Sequence, residues 1–441
     1  MKKRIYRATH VKELNVERLC GELADGCVVV GVDVAKEDMV AGLMDGRVQV
    51  VATVKWRHPE QSQLFMEVLE AVQRSGRQVE VAMEPSGTYG DALRVAVLER
   101  GIPVYRVSPK RCHDAAEVYD GVPSQHDAKS AAIIAKLHLD RASEPWPVKS
   151  EGERTLAAAL RVLQVYEGQF QENRNRLEAI LARHWPELGA ILDLGSATLL
   201  ELLKTYGGAG AVVADEAGAR ELMQRVGRGF LKTEKVEEVV RSARTSFGMG
   251  QLEEERRLVM EIAGEARRNQ QKSQKAKKRV EQLTPESESA ARMTAVVGKV
   301  TAAVLMAALG DPGGYDNATA YLKSAGLNLK EKSSGKQKGG LHITKRGPGV
   351  ARQFLYLAVL RLLQTDRVIR AWYAKKVARQ GGKLKSKAVV AIMRKLVLAL
   401  WYVARGSRFD SAKLFDVSRL NLDLAAEVAL APIDPEEEVA A

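Results

Sequence analysis

Cys27-Val28-Val29-Val30-Gly31-Val32-Asp33-Val34-Ala35-Lys36 is the run whose reading decides the fold. Its β-branched residues predict a strand over Cys27–Val34, with one acid, Asp33, set inside an otherwise hydrophobic segment. Working outward, Met39–Leu43 and Val48–Val54 read as two more short strands, separated by the turn signal Asp45-Gly46. A helical pattern follows over Gln61–Ser75, then a strand at Gln78–Met83, a helix after Gly87 and a strand at Pro103–Val107. Three strands followed by alternating helix and strand predict a mixed sheet covered by helices.

The rest of the 441-residue chain reads differently. Positions 156, 160, 163, 167, 170, 174, 177 and 181 step by four and three, and six of the eight are apolar, which predicts one long amphipathic helix with a coiled-coil seam. A second long, polar helix over Gly250–Leu283 is its candidate antiparallel partner. A helical spacer and a dimerisation arm both remain open for this pair. Beyond Ser287 the pattern is again helical, interrupted by Gly310-Asp311-Pro312-Gly313-Gly314 and by a polar loop over Lys330–Gly349. The expected fold class is therefore α/β plus all-α. Its expected parts are an extension over 1–26, the sheet domain over 27–148, a helical or coiled-coil region over 149–286, a helical carboxy-terminal domain over 287–410 and an acidic tail over 411–441.

Composition excludes several classes. With 46% hydrophobic and 28% charged residues, wholesale disorder and collagen-like repeats do not fit. Cys20, Cys27 and Cys112 are odd in number and lack metal-ligand spacing, so they read as reduced cytoplasmic thiols. The basic amino terminus has no apolar core, and the longest apolar run, Ala388 to Ala404, is broken by Arg394 and Lys395. A cytoplasmic protein without a membrane partner is expected.

The formal net charge of +13 is unevenly spread. Lys323 to Arg405 holds twenty Lys and Arg against Glu331 and Asp366, a local net of +18, whereas Ser411 to Ala441 holds seven acids and two bases. A bias over some eighty residues that includes glycine-rich loops predicts phosphate contact and steep salt dependence. Within it, Ser333-Ser334-Gly335-Lys336-Gln337-Lys338-Gly339-Gly340 forms a basic loop in which glycines let backbone N–H groups approach phosphate. Lys330, Lys332, Lys336, Lys338, Lys345 and Arg346 are the candidate nucleic-acid contacts. A serine among such cations is a candidate nucleophile, and a solvated linker with incidental serines is the alternative.

Three carboxylates in the first domain stand out. Asp33 lies in its strand, Glu84 follows the strand ending at Met83, and Asp127 opens the helical pattern Ala128–Leu139. Burying a carboxylate is unfavourable unless it is paired or binds a cation, so acids at strand ends are candidates for Mg²⁺ ligation in phosphodiester chemistry. An N-cap role for Asp127 and a turn role for Glu84 are the plainer alternatives.

These residues carry a resemblance. Gly31-Val32-Asp33-Val34-Ala35-Lys36, Glu84-Pro85-Ser86-Gly87-Thr88-Tyr89, Gly101-Ile102-Pro103-Val104, Ser108-Pro109 and His126-Asp127-Ala128-Lys129-Ser130-Ala131 occur in the order found in DEDD-type insertion-sequence transposases related to Piv-type DNA invertases. The resemblance implies an amino-terminal domain like RuvC Holliday-junction resolvases, of the ribonuclease-H kind, with four acids binding Mg²⁺. Asp33, Glu84 and Asp127 match the first three. Ser130 stands where the family has its fourth acid; its hydroxyl accepts a metal contact or holds a metal-bound water without bringing charge, so one ion is better supported than two. Asp120 is a weaker substitute.

Val297-Gly298-Lys299-Val300-Thr301-Ala302-Ala303, Leu309-Gly310-Asp311, Ala325-Gly326-Leu327, Ser334-Gly335 and Ile343-Thr344-Lys345-Arg346-Gly347 resemble the same family's carboxy-terminal domain. That likeness implies Ser334 as nucleophile, with Ser333 as the fallback. The family's Pro-Gly-x-Gly hairpin signal reads Ala295-Val296-Val297-Gly298 here. The resemblance further implies donor and target DNA, a guide RNA encoded by the element, and a homodimer or homotetramer in which one protomer's acids complete the site around another's serine. Other readings are a sugar-kinase or actin-like ATPase, which needs a second α/β domain, a junction nuclease using only the acids, and a non-catalytic nucleic-acid scaffold.

Overall fold

The valine run forms the central strand of a seven-stranded sheet. A computed structural model describes residues 7–85, 87–119, 121–122, 124, 126–331 and 340–422, and the chain divides between Val148 and Lys149 into two compact units. In the first unit the strands are β1 (Thr9–His10), β2 (Cys27–Asp33), β3 (Asp38–Met44), β4 (Val50–Arg57), β5 (Gln78–Met83), β6 (Val104–Val107) and β7 (Ser143–Pro145). Its helices are α1 (Val16–Glu22), α2 (Ser62–Arg74), α3 (Asp91–Glu99), α4 (Pro109–Asp114) and α5 (Asp127–Leu139). The strand order is β1-β4-β3-β2-β5-β6-β7. β2, β3 and β4 form an antiparallel meander, while β2, β5 and β6 run parallel. This is the mixed sheet expected of a ribonuclease-H-like α/β domain.

Alternation along β2 explains its position. Val28, Val30 and Val32 join a core with Phe65, Leu69 and Val72 of α2 and Leu93 and Val97 of α3. Val29 faces the other way, onto Ala132 and Ala135 of α5. A strand buried on both faces reads as a continuous apolar run.

The structure differs from the sequence reading in places. The segment expected as an extension supplies β1, paired parallel to β4, and α1, and it buries Val11, Leu19 and Leu23 in the same core. β4 begins at Val50 rather than Val48. Asp45 prolongs the preceding turn by accepting hydrogen bonds from the backbone N–H groups of Ala24 (2.9 Å) and Arg47 (3.0 Å), which leaves Val48 at φ 58 and half exposed.

The second unit is helical, consistent with the all-α expectation. Ser150 and Glu153 form a capping box that starts α6 (Glu151–His184). Then come α7 (Leu188–Ile191), α8 (Ala197–Tyr206), α9 (Ala209–Ala214), α10 (Glu216–Gly227), α11 (Thr233–Arg244) and α12 (Glu253–Leu283). The carboxy-terminal helices are α13 (Glu288–Val297), α14 (Lys299–Leu309), α15 (Ala318–Ser324), α16 (Gly349–Thr365), α17 (Arg367–Ala378) and α18 (Lys385–Ala404).

α12 packs antiparallel along α6. The early leucines of α6 meet Ala276 and Val280 near the end of α12, while Arg183 and His184 at the end of α6 meet Glu255 near its start. The polar stretch Asn269–Arg279 packs because its inward residues are small, Ser273 and Ala276. Glu167, the acid in the seam, pairs with Lys277 at 2.7 Å and accepts from Ser273. Leu156, Leu160, Leu163, Leu177 and Leu181 are thus buried by the chain's own helices.

The subdivision expected at 286 falls inside this one unit. Leu156, Leu160 and Leu163 share a core with Val304 of α14 and Phe354 of α16. Gly298, at φ 80, joins α13 to α14, so the turn forms without the expected proline signal. The start of the expected tail is packed as well: Phe415 is buried against Trp372, and Lys395 Nζ donates to the Leu414 carbonyl (2.6 Å). Residues 423–441 lie outside the described residues. Among the described residues the only strands of this unit are β8 (Leu329–Lys330) and β9 (His342–Ile343), so it lacks the second α/β domain a sugar-kinase fold requires. No described helix is long and apolar enough to cross a membrane.

Candidate active site

Asp33 and Glu84 reach the same end of the sheet because β2 and β5 are parallel neighbours. Val32 and Met83 are register partners, so the next residues along the two chains are Asp33 and Glu84. Neighbouring strands lie about 4.8 Å apart, which sets the two acids side by side. Asp127 is brought in by α5, and here glycine is required. Gly31 and Gly42 are partners across the β2–β3 ladder. A Cβ at Gly31 would stand 2.2 Å from the Ala131 carbonyl oxygen and 2.4 Å from the Ala135 nitrogen, and one at Gly42 would stand 3.2 Å from the Ala132 nitrogen. Two absent side chains therefore seat the alanine-lined α5 directly on the strands. Its first residue, Asp127, then faces Asp33.

The electrostatics record this convergence. The Asp33 carboxyl is raised from 3.8 to about 6, first by burial and then by the charges of Asp127 and Glu84. Neither Asp33 nor Asp127 forms an ion pair among the described residues. Asp127 is not the N-cap of its helix: His126 is, its side chain accepting from the Lys129 N–H. Ser130 lies one turn along α5, half-buried, on the side of Asp127.

One neighbour of the acids, and one buried lysine on the same helix as Asp127, went unrecognised in the sequence. Cys112 of α4 is pushed up to about 12 by burial, by the charge of Glu84 and a hydrogen bond to it, and by Asp33, so it is a neutral thiol against the acids. Lys129, only 2% exposed, donates from Nζ to the Val122 carbonyl (2.6 Å) and ties the preceding loop to α5. A lysine two residues after an acid carries no signal of burial until the helix face is known. A third cluster is structural: His138 bridges Glu80 and Ser143, each at 2.7 Å, and so holds β7 against α5.

As the side chains stand, no group of three or more acidic, histidine or cysteine residues among the described ones is drawn close enough to hold a metal ion. The chemistry of Asp33, Glu84 and Asp127 still fits a hard divalent cation. Their donors are carboxylate oxygens, and their mutual repulsion is what a cation would relieve.

In the second unit, Leu329 pairs with Ile343 and Lys330 with His342, which closes the base of the basic loop. Thr344 N–H donates to the Asn328 carbonyl (2.8 Å) and Lys345 N–H to that of Gly326 (2.9 Å). Lys330, Lys345 and Arg346 are exposed at this base. Lys332, Ser333, Ser334, Lys336 and Lys338 lie outside the described residues, as does Asp120.

Two family profiles match the chain: the transposase family DEDD_Tnp_IS110 over residues 30–186, and the transposase IS116/IS110/IS902 family over residues 291–374. Together they span more than half of its length. Curated relatives include the insertion element IS110 uncharacterized 43.6 kDa protein of Streptomyces coelicolor, 24% identical over 68% of this chain and 75% of the relative. The insertion element IS116 uncharacterized 44.8 kDa protein of Streptomyces clavuligerus is also 24% identical, over 86% of this chain and 95% of the relative. Among solved structures, T. thermophilus RuvC in complex with Holliday junction substrate aligns with 27% of this chain and 99% of its own, at 18% identity and a TM-score of 0.22.

Proposed function

Because the chain belongs to the IS116/IS110/IS902 family of transposases, enzymes of DNA cleavage and strand transfer, we propose that it cuts and rejoins DNA through a phosphoserine link. The observation that carries this reading is the convergence of Asp33, Glu84 and Asp127 at one end of the sheet, in a chain that also matches the family over its carboxy-terminal helices.

Asp33, Glu84 and Asp127 would hold one Mg²⁺, with Ser130 contributing a neutral oxygen. Such an ion supplies Lewis-acid polarisation of a phosphoryl oxygen. Ser334 Oγ forms a bond to phosphorus while the bond from phosphorus to the departing sugar oxygen breaks. The serine proton passes, in net terms, to that oxygen. Bond energy is kept in the phosphoserine, so a hydroxyl from the exchanged strand reseals DNA by the reverse displacement. Lys330, Lys332, Lys336, Lys338, Lys345 and Arg346 neutralise the phosphates that approach the loop. The partners of this reading are donor and target DNA, a guide RNA encoded by the element, and a homodimer or homotetramer. The local net of +18 over Lys323–Arg405 supports a nucleic-acid partner.

Trapping the covalent adduct tests it. With Ser333 and Ser334 both changed to alanine the protein–DNA adduct disappears, and with Asp33→Asn cleavage in Mg²⁺ is lost while DNA binding persists. An adduct that survives the double alanine change overturns the serine assignment. Ser130 in place of a fourth acid favours a second reading, a chain that binds DNA without cutting it; wild-type protein that retains element DNA in Mg²⁺ without cleaving it selects that reading. Sequencing the nucleic acid that co-purifies checks the guide RNA.

A further inference from the structure

Beside the base of the basic loop is a cavity of about 240 Å³ between β8, β9, α17 and α18. Three cations line it, Lys376, Lys387 and Arg394, and none of its lining residues is acidic. Among the described residues none of the three cations is in an ion pair. Arg394 is held by its Nε, which donates to the Leu327 carbonyl (2.8 Å). Leu341, Ile343 and Val390 supply apolar lining, Val390 between Lys387 and Arg394 on one face of α18. Gln380 also lines the cavity, and its Oε1 is buried without a hydrogen-bond partner.

Each feature narrows the ligand. Unpaired lysine and arginine charges call for an anion. Phosphate alone leaves the apolar walls unused. A nucleobase supplies both a flat apolar face and N–H groups on its edge, and its own backbone supplies the phosphate. The volume lies below the roughly 300–1,000 Å³ of drug-sized sites, which suits one base.

We propose that this cavity receives a single unpaired nucleotide, with its base between Leu341 and Val390 against the Gln380 amide and its flanking phosphates on Lys376, Lys387 and Arg394. An unstacked nucleotide captured here holds the strand at a fixed register beside the basic loop. The inference rests on the nucleic-acid reading above and goes beyond it by naming a nucleotide subsite outside the acidic cluster. DNA and RNA share the chemistry required.

Binding of the full-length chain to mixed-sequence duplexes with one bulged 2-aminopurine, in DNA and in RNA form, tests it against matched duplexes with an abasic bulge. The expected result is about tenfold tighter binding of the base-bearing bulge and a rise in 2-aminopurine emission that marks its unstacking. Gln380→Ala and, separately, Leu341→Ala, whose side chain is 60% exposed and outside the core, remove that preference while fully paired duplex binds as before. Whichever of the DNA and RNA probes shows the preference identifies the strand. Equal binding of base-bearing and abasic bulges, or a preference untouched by both variants, overturns the cavity assignment alone. Failure to hold any duplex overturns the nucleic-acid reading and this inference with it.

Discussion

Replacing Gly31 by alanine tests the contact that builds the candidate active site. The added methyl would stand 2.2 Å from the Ala131 carbonyl oxygen, 2.4 Å from the Ala135 nitrogen and 2.9 Å from the Ala135 Cβ. Two of those atoms belong to the backbone of α5, so no side-chain rotation relieves the clash; the helix must withdraw by about 1 Å to restore van der Waals spacing. Overpacking of this kind destabilises by about 1–3 kcal/mol, and a clash with rigid backbone belongs at the upper end, about 3 kcal/mol. The same withdrawal carries Asp127 away from Asp33. A displacement of about 1 Å is enough to slow catalysis by on the order of 10²-fold. Urea unfolding of the full-length chain, followed through the transition of the first unit, measures the stability change, and strand cleavage measures the second effect. Gly21→Ala is the control: nothing lies within 4 Å of a Cβ there, and the position is inside α1. It is expected to leave stability unchanged or raise it by up to about 1 kcal/mol. Gly31→Ala unfolding within about 0.5 kcal/mol of wild type, with cleavage intact, would refute the argument that α5 is seated by the missing side chain.

Asp33 makes the first unit sensitive to pH. Its carboxyl is raised from 3.8 to about 6 in the folded chain, so the folded state binds a proton that the unfolded state has lost between those values. In metal-free buffer, stability therefore falls as pH rises from about 4 to about 6, by at most about 3 kcal/mol. Asp33→Asn flattens that slope and is the more stable protein at pH 7.5, which thermal unfolding at several pH values checks. Cys112, buried and with its thiol pushed up to about 12, should resist iodoacetamide at pH 8 until the chain unfolds; mass spectrometry of the labelled native protein reads this directly. Neutralising Lys330, Lys345 and Arg346 together should weaken DNA binding at low salt and flatten the log–log salt dependence by about 0.9 for each phosphate that is no longer neutralised. An unchanged slope in binding titrations shows that these exposed cations do not meet phosphate.

Much of the sheet was readable because its signals are local. The valine run, the strand ending at Met83 and the helix after His126 each announce themselves within about ten residues. Asp33, Glu84 and Asp127 could be singled out because an acid at the end of an apolar strand, or opening a helix, contradicts its surroundings. β1 and β7, of two and three residues, are too short for any periodicity and exist only because the sheet edges offer unpaired backbone groups to them. The stepped leucines of α6 announced a seam, and the helix over Gly250–Leu283 was its candidate partner, but the seam's full set of occupants was not legible. α12 packs there through residues too small to register as an apolar stripe, and Val304 and Phe354 join from helices more than a hundred residues away, which no local pattern foretold.

By itself, then, the amino-acid sequence determined the class of each half, the uneven charge and the identities of the three acids, since all of these follow from residue chemistry and short-range periodicity. Only the tertiary structure decided that the acids face one another, that Cys112 belongs beside them, that Lys129 is buried, and that Gly31 pairs with Gly42 to admit α5. Those are relations between residues tens to about a hundred positions apart, and they arise from strand register and helix seating, which no local pattern encodes. The cavity between β8, β9, α17 and α18 is of the same kind: Gln380 has no motif around it, and it meets Lys387 and Arg394 only through the packing of those elements.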